Sequence, residues 1–296
     1  MGEADSQAVT REAAVEATNR HYDLPPDLFK TFLDRRMKYT CGLYERGDES
    51  LDEAQEAKMC FIAESLALRG GERILDIGCG WGGLCHFLAE RYGCTVVGVT
   101  PSRVQIRHAR DDAERRGLTG RCEFHCGSVY DPDLPGRRFD GVALVGVIEH
   151  MPDHRAALTA ATRALRTGGR LYLSASCFRN RGMFEEYGTR PASRHVTDTV
   201  FGFGVLRPLS ELLDAAESAG LSLSTIADLT PHYLRTIDEW SARVAARREE
   251  IDAMRPGMAE ELLRYFETAN VGWGRTTKHY AFTGIRARMG EAVVGL

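Results

Sequence analysis

A short apolar run is followed by glycines at every second position, and these glycines are candidates for a ligand-binding loop. The run Arg73–Ile77 is rich in branched aliphatic side chains, and Gly78, Gly80 and Gly82 come directly after it. Glycine lets the backbone turn sharply and approach a bound molecule closely, because no side chain intervenes. A helix beginning near Gly83 would add free backbone N–H groups there. This order of strand, glycine turn and helix predicts a nucleotide-type pocket at the carboxyl end of a parallel sheet.

Three details distinguish this loop from a dinucleotide site. The spacing is G-x-G-x-G rather than G-x-G-x-x-G, and Asp76 stands two residues before the first glycine. The next apolar run, Thr95–Val99, is followed by Thr100, where a dinucleotide site would place Asp or Glu for the ribose hydroxyls. A nicotinamide-dependent oxidoreductase is therefore the weaker alternative. A tight turn without any ligand is the structural alternative.

An acidic residue and a histidine follow another apolar run, Phe139–Val145. Glu149 and His150 come directly after this predicted strand and before a Met-Pro turn. A carboxyl group at the end of an apolar strand is expected to have a raised pKa through loss of solvation, which suits a general base. The alternative is that the pair only caps the turn formed by Met151 and Pro152.

Strands and helices alternate through the middle of the chain. Predicted strands at 73–77, 95–99, 122–126, 139–145 and 170–175 are separated by glycine turns and predicted helices, which include 105–116 and 154–165. This order indicates a mostly parallel sheet with helices on both faces. Beyond it, the pattern predicts helices at 210–219, 236–250 and 258–268 and strands at 221–229 and 279–285.

The chain divides into a cover segment and a core. Residues 1–68 are predicted to form an N-terminal helical cover segment, in which Ser50 and Glu53 form a capping box. Residues 69–296 form the core, which binds the nucleotide-type ligand. A stretch at about 177–208 mixes arginine, glycine and aromatic residues and is predicted to be a cap insert. Its aromatic residues either line a lipid or terpenoid pocket or form the insert's own apolar core.

Composition excludes several classes of protein. The 296 residues carry a formal net charge of −4, which gives no electrostatic footprint for nucleic acid. No apolar run is long enough to predict a membrane span, and the polar N-terminus is unlike a signal peptide. The eight cysteines show neither a C-x-x-C pair nor zinc spacing. We expect reduced thiols, no metal and a cytoplasmic location.

Several separated motifs together resemble a known family. Asp76-x-Gly-x-Gly-x-Gly is similar to the first motif of class I S-adenosylmethionine-dependent methyltransferases. The ordered set, over roughly residues 19 to 285, resembles the cyclopropane fatty acid synthase family, which includes the mycolic acid cyclopropane synthases. Plant coclaurine N-methyltransferases are similar at the same places. The motifs are His21-Tyr-Asp-Leu, Tyr39-Thr-Cys, Asp76-Ile-Gly-Cys-Gly-Trp-Gly, Gly98-Val-Thr-Pro-Ser, Ile148-Glu-His and Pro231-His-Tyr-x-x-Thr-x-x-x-Trp240.

The resemblance implies a Rossmann-like seven-stranded sheet and a site for S-adenosylmethionine. In that site the tyrosine and threonine of the second motif close over the cofactor, and the glycines contact its methionine part. Polar residues after the second strand hold the ribose hydroxyls, and residues near 128 flank the adenine, where Tyr130 is a candidate for stacking. The implied cofactor residues are Tyr39, Thr40, Asp76, Gly78, Gly80, Thr100, Gln105, Ser128, Val129 and Val145.

The resemblance also implies a site that handles a proton. In cyclopropane synthases, Cys, Glu, His and Tyr side chains hold a bicarbonate ion, and the matching residues here are Cys41, Glu149 and Tyr233. The histidine position is Ser174 in this sequence. Cys41 and Tyr233 could instead be ordinary buried side chains. The histidines that could substitute are His150, His195 and His232.

The predicted activity is transfer of a methyl group, or a methylene group that closes a cyclopropane, to carbon of an unsaturated lipid-like or natural-product substrate. In this reaction Glu149 acts as base or anchors a bound anion, with Tyr233, Cys41 and His150 beside it. The alternative is N- or O-methylation of a small secondary metabolite, and a non-catalytic cofactor-binding module is a further one. The expected partner is a small-molecule substrate without nucleic acid, and a homo-oligomer is compatible with the sequence.

Overall fold

A twisted sheet with seven strands in series forms the centre of the computed structural model, which describes residues 10–131, 138–188, 190 and 202–287. The strands are β1 Arg73–Ile77, β2 Thr95–Thr100, β3 Cys122–Cys126, β4 Phe139–Val145, β5 Leu165–Phe178, β6 Arg207–Pro208, β7 Leu221–Asp228 and β8 Thr277–Arg286. The order is β3-β2-β1-β4-β5-β8-β7, and the short β6 pairs with β5. Strands β1 to β5 pair in parallel, whereas β8 is antiparallel to both of its neighbours. This confirms the predicted mostly parallel seven-stranded sheet.

Helices cover both faces of the sheet. They are α1 Arg11–Tyr22, α2 Pro26–Lys30, α3 Leu51–Ser65, α4 Gly83–Tyr92, α5 Arg103–Arg115, α6 His154–Ala164, α7 Arg181–Tyr187, α8 Leu209–Ser218, α9 Thr230–Ala246, α10 Arg248–Met254 and α11 Met258–Gly272. A 3-10 helix, Ile148–His150, follows β4. Apolar residues of α3, α4 and α5 fill one face of the sheet, and those of α6 and α8 fill the other. Every described helix is too short or too polar to cross a lipid bilayer.

Local signals in the sequence explain where some helices begin. Ser50 and Glu53 form the predicted capping box: the Ser50 side chain accepts the Glu53 N–H, and the Glu53 carboxylate accepts the Ser50 N–H at 2.9 Å. The helix predicted at 236–250 begins earlier, at Thr230, because Pro231 is favourable in the first turn. It also divides into α9 and α10 near Arg247. This correction places Tyr233 on the first turn of α9.

The N-terminal segment packs against the C-terminal helices. Residues of α2 and the loop after it share an apolar cluster with α9, α10 and α11. The ring centroids of Phe32 and Phe266 are 6.0 Å apart, and those of Trp240 and Phe266 are 5.8 Å apart. Burial of these large rings is the main favourable energy that holds the segment in place. The N-terminal segment therefore covers the sheet near the carboxyl ends of the parallel strands.

The predicted insert leaves the sheet at the carboxyl end of β5 and returns beside the same strand. Strand β5 runs to Phe178, three residues beyond its predicted end, because it pairs with β8 along this length. The chain rejoins β5 at Arg207 in β6. Phe178 and Phe184 pack with ring centroids 5.5 Å apart, and the Arg207 guanidinium lies 5.2 Å from the centre of the Phe184 ring. His195 lies outside the described residues.

Candidate functional site

A cavity opens at the carboxyl ends of β1, β2 and β4, where the glycine loop predicts it. It contains about 1040 Å³ of empty space, including its open mouth. Helix α1 and the loop before α3 close it from the N-terminal side. Every predicted cofactor residue except Asp76 lies in its wall: Tyr39, Thr40, Gly78, Gly80, Thr100, Gln105, Ser128, Val129 and Val145.

The glycine loop has a backbone that other residues would not adopt easily. Gly78 has φ +74° and donates its N–H to Val99 O at 2.8 Å. A Cβ atom on Gly78 would lie 2.3 Å from Val147 Cγ2, which is far inside contact distance. A Cβ atom on Gly80 (φ +55°) would meet only Gln105 Nε2, at 4.0 Å. The loop therefore keeps open a space beside Gly80 that a ligand can occupy.

Asp76 supports the loop from behind. Its side chain is buried, and the Cys85 thiol lies 3.4 Å from Oδ2. Burial raises the pKa of this carboxyl group. The structure therefore does not bring Asp76 to the cavity wall with the other predicted cofactor residues.

A neutral pair of polar side chains lies at the end of β2. The Thr100 hydroxyl donates to Gln105 Oε1 at 2.8 Å, which leaves the Gln105 amide N–H groups available on the cavity side. Ser102 caps α5 by accepting the Gln105 N–H at 3.1 Å. Asp23 accepts the Ser102 hydroxyl at 2.6 Å. The cap holds Gln105 where its amide and the Thr100 hydroxyl can bind neighbouring hydroxyl groups of a ligand.

The wall after β3 is apolar with one polar edge. Val129 is buried, and Asp131 accepts the Ser128 N–H at 2.7 Å. The Tyr130 hydroxyl donates to Asp153 O at 2.9 Å, and the Arg11 guanidinium lies 4.0 Å from the centre of the Tyr130 ring. This arrangement suits a flat heterocycle between apolar side chains.

Two polar residues of α3 fix the position of Thr40, which lies in the N-terminal wall of the cavity. Gln55 Nε2 donates to Thr40 O at 2.7 Å, and Lys58 Nζ donates to Thr40 Oγ1 at 2.8 Å. Burial lowers the pKa of Lys58 well below its usual value. Sequence reasoning missed both residues. The available signal was two polar residues on the apolar face shared by Leu51 and Ile62.

The Glu-His pair lies on the 3-10 helix beside the cavity. His150 lines the cavity; its Nδ1–H donates to Phe203 O at 3.0 Å, so Nε2 accepts the Tyr22 hydroxyl at 3.3 Å. Glu149 is buried, and its Oε1 accepts the Ser176 N–H at 2.6 Å. Glu149 Oε2 has no hydrogen-bond partner among the described residues. Burial raises the pKa of Glu149 and lowers that of His150.

The other two residues predicted to handle the proton, the buried Cys41 and the half-buried Tyr233, lie on the same face of the sheet. The Cys41 thiol donates to Gly42 O at 3.1 Å, and burial raises its pKa to about 12. The Tyr233 ring packs against Trp273 and His279, with both centroid distances 4.7 Å. Tyr233 lies within electrostatic reach of Cys41 and Glu149. His232 accepts the Tyr44 N–H through Nδ1 at 3.1 Å.

A histidine that sequence reasoning did not single out joins this face from β8. The antiparallel register pairs Ser174 with Ala281 and Ser176 with His279. The Ser176 hydroxyl lies 3.4 Å from His279 Nδ1. His279 is buried, and burial lowers its pKa to about 3. The histidine absent at Ser174 thus has a counterpart on the neighbouring strand.

The sheet order and this cavity define a class I S-adenosylmethionine-dependent methyltransferase. The strand order places β8 antiparallel between β5 and β7, and a glycine loop after β1 faces an uncharged pair after β2. The space beside Gly80 fits the amino-acid part of this cofactor. The Gln105 amide N–H groups, as donors, and the Thr100 hydroxyl oxygen, as an acceptor, fit its ribose hydroxyls.

Comparisons with known proteins agree with this class. The family model described as mycolic acid cyclopropane synthetase matches residues 9–277, and the chain belongs to this family. It is 31% identical over 258 residues to a probable fatty acid methyltransferase of Pseudomonas putida, covering 85% of this chain and 64% of that protein. It is 30% identical over 244 residues to cyclopropane mycolic acid synthase 1 of Mycobacterium tuberculosis, covering 79% and 83% of the two chains.

Solved structures of the family have the same fold. The cyclopropane synthase MmaA2 of Mycobacterium tuberculosis superposes with a TM-score of 0.84 at 25% identity, covering 92% of this chain and 98% of that one. The mycolic acid cyclopropane synthase CmaA1, in complex with SAH and CTAB, gives a TM-score of 0.84 at 26% identity, with the same coverage. These findings confirm the predicted family, fold class and S-adenosylmethionine-dependent methyltransferase activity.

Proposed function

We propose that this protein transfers the methyl group of S-adenosylmethionine to a carbon atom of an unsaturated lipid-like or natural-product substrate, as a methyl group or as the methylene of a cyclopropane. The names of the relatives, a fatty acid methyltransferase and cyclopropane mycolic acid synthases, support a lipid-like acceptor. The observation that carries the proposal is the buried carboxyl group of Glu149, whose Oε2 lacks a partner in the described part of the chain.

The cavity wall would hold the cofactor in one orientation. Gly78 and Gly80 leave room for its methionine part, Thr100 and Gln105 face its ribose hydroxyls, and Val129 packs on its adenine. When bound, the cofactor supplies an electrophilic methyl group on a positively charged sulfur. The protein's main task is then to align a nucleophile with that methyl group and to exclude water.

Aromatic side chains surround the acceptor side. The rings of His21 and Tyr39 stack at 5.8 Å, and the Tyr22 ring lies edge-on to His150 at 5.8 Å. Attack by an alkene on the methyl group leaves a carbocation, which the faces of aromatic rings stabilise. Burial lowers the pKa of His150, which disfavours a positive charge beside that cation.

Glu149 would remove the proton that ends the reaction. A buried carboxylate is a stronger base than an exposed one, because desolvation raises its pKa. Loss of a proton from the new methyl group closes a cyclopropane, and loss from a neighbouring carbon leaves a methylated alkene. Either way the electron pair of the broken C–H bond neutralises the cation, and Glu149 becomes a carboxylic acid.

The residues at the implied bicarbonate site fit that ion poorly. An anion needs hydrogen-bond donors, but the Cys41 thiol donates to the backbone carbonyl of Gly42 and is neutral. Ser174 stands where a histidine could supply a charged donor, and the counterpart His279 is kept neutral because burial lowers its pKa to about 3. Tyr233 packs against aromatic rings. The proposed mechanism therefore includes no step through bicarbonate.

A donor with a deuterated methyl group tests the proposal. The purified protein is incubated with it and with vesicles of phospholipids that carry cis-unsaturated chains, and separately with unsaturated terpenoids. We expect a carbon-linked product that keeps three deuterium atoms if it is methylated, or two if it is a cyclopropane. Products labelled only on nitrogen or oxygen, from an amine or alcohol acceptor in the same assay, would contradict the proposal.

The proposal includes the organisation and setting of the enzyme. The contacts of α2 with α9 and α11 support residues 1–68 as a cover segment on the core 69–296, and the pairing of β6 with β5 supports an insert near 177–208. A cytoplasmic location, a role in secondary metabolism and assembly into a homo-oligomer remain predictions. Sedimentation of the purified protein would measure its assembly.

A further inference from the structure

Three polar residues connect the 3-10 helix to the antiparallel strand β8: Glu149 and His279 are buried, and Ser176 between them is half-buried. Glu149 Oε1 accepts the Ser176 N–H at 2.6 Å, and the Ser176 hydroxyl is also within hydrogen-bonding reach of the Glu149 carboxyl group. On its other side the same hydroxyl lies 3.4 Å from His279 Nδ1. Ser176 is therefore the link between a carboxylate and an imidazole that are 130 residues apart in sequence.

The chemistry of the three groups fixes the direction of hydrogen bonding. An ionised carboxylate only accepts, so the Ser176 hydroxyl must give it its single proton. The hydroxyl oxygen then accepts a hydrogen bond from a neighbour. A neutral imidazole that carries its hydrogen on Nδ1 can donate that bond. His279 is neutral, because burial lowers its pKa to about 3. The chain of donation therefore runs from His279 through Ser176 to Glu149.

Few other groups near Glu149 can stabilise its negative charge, so its pKa should depend on Ser176 and His279. The charge of Glu149 raises the pKa values of Tyr22 in α1, Tyr233 in α9, Tyr265 in α11 and Cys177 in β5, which are the titratable groups near it on the packed elements. None of these four is a cation. The groups that act on His279 are Lys58 of α3 and Asp228 of β7, and the Tyr233 ring lies against it. The negative charge of Glu149 is thus stabilised chiefly by hydrogen bonds from Ser176.

We propose that Ser176 and His279 are positioning residues that hold Glu149 Oε1 and leave Oε2 to take the substrate proton directly, without a bound anion. This inference rests on the proposed function and deepens it. In the step, a C–H bond of the new methyl group breaks and its electron pair closes the cyclopropane ring onto the cation, or a C–H bond on a carbon next to the cation breaks and its electron pair forms a C=C double bond. In both cases the proton moves to Oε2. The proton later passes to solvent, which restores the carboxylate.

The position of His279 gives the proposal its structural basis. Ser174 and Ser176 project from the same face of β5, because side chains two residues apart in a strand share a face. Ala281 pairs with Ser174 and offers no polar group there. The imidazole stands opposite Ser176, where its Nδ1 reaches a residue that itself contacts Glu149.

The test follows the titration of Glu149 by infrared spectroscopy, in protein saturated with S-adenosylhomocysteine. The carboxyl band that is lost in Glu149→Gln identifies the group. We expect Ser176→Ala and His279→Leu to raise the pKa of Glu149 by about one to two pH units, because they remove donors that favour its charged form. His279→Asn keeps an N–H near the Nδ1 position and should restore most of the titration of the unmodified protein.

Ser174→Ala is the matched control, since it removes a buried hydroxyl from the same face two residues away. It should leave the titration of Glu149 unchanged, and thermal unfolding of every variant checks that it folds. The proposal is overturned if Ser176→Ala and His279→Leu fold but titrate like the unmodified protein, or if His279→Asn behaves like His279→Leu. If the variants titrate as expected but the protein methylates no carbon, the proposed function is rejected, whereas the positioning roles of Ser176 and His279 are retained.

Discussion

Replacing Gly80 with alanine separates the role of the glycine loop in binding from its role in folding. Gly80 has φ +55°, and the added Cβ would have only Gln105 Nε2 nearby, at 4.0 Å. The methyl group therefore meets no protein atom at close range and costs stability mainly through the left-handed backbone, by about 1–2 kcal/mol. In a chain of this size that lowers the melting temperature by about 2–4 °C per kcal/mol.

The same methyl group enters the space that we assign to the cofactor. We expect the Kd for S-adenosylhomocysteine to rise at least tenfold in Gly80→Ala, which corresponds to about 1.4 kcal/mol. Gly117→Ala is a matched control: Gly117 has φ +68°, no atom lies within 4 Å of its added Cβ, and it follows α5 outside the cavity wall. It should lose similar stability and keep the affinity of the unmodified protein.

Isothermal titration calorimetry and differential scanning calorimetry measure the two effects on the same samples. If Gly80→Ala binds S-adenosylhomocysteine as tightly as Gly117→Ala does, the space beside Gly80 is not the cofactor site. Equal losses of affinity in both variants would mean that backbone strain, and not occupation of the cavity, weakens binding.

The remaining predictions concern the base, the ribose contacts and a helix cap. Product formation should fall as pH decreases through the raised pKa of Glu149, because the base must be ionised, and Glu149→Gln should lose product formation while still binding S-adenosylhomocysteine in calorimetry. Since its folded pKa lies above its unfolded one, the contribution of Glu149 to stability is lost as pH rises, so Glu149→Gln should gain melting temperature relative to the unmodified protein at high pH. Gln105→Leu should weaken S-adenosylhomocysteine binding by roughly tenfold, because it removes a hydrogen-bond partner of the ligand, and should lower the free energy of unfolding by about 1–3 kcal/mol, because it leaves the buried Thr100 hydroxyl without its acceptor. Ser50→Ala should lower the free energy of unfolding by about 1 kcal/mol in urea titrations, because the Glu53 N–H loses its cap.

Local patterns in the sequence predict the parallel half of the fold well. The strands at 122–126 and 139–145 have their predicted bounds, because an arginine precedes each strand directly and a glycine follows it directly. Thr100 and Gln105 were predicted through the resemblance to the family, and the structure places both in the cavity wall at the end of β2, where Ser102 caps α5. These features depend on residues close together in sequence.

The parts that were missed depend on contacts between distant residues. The pairing of Ser176 with His279 requires the register of β5 on β8, which an isolated strand pattern does not specify. Lys58 on the apolar face of α3 was overlooked because its partner Thr40 lies in the loop before the helix. The early start of α9 at Thr230 was missed because Pro231 was not taken as the first turn of the helix.

A crystal structure of the protein soaked with S-adenosylhomocysteine would test the account most directly. We expect density in the cavity, with the methionine part beside Gly80, the ribose hydroxyls on Thr100 and Gln105, and the sulfur directed toward the Glu149 side. Density for the ligand elsewhere, or a saturated crystal whose cavity stays empty while the ligand binds in solution, would contradict the assignment of the site.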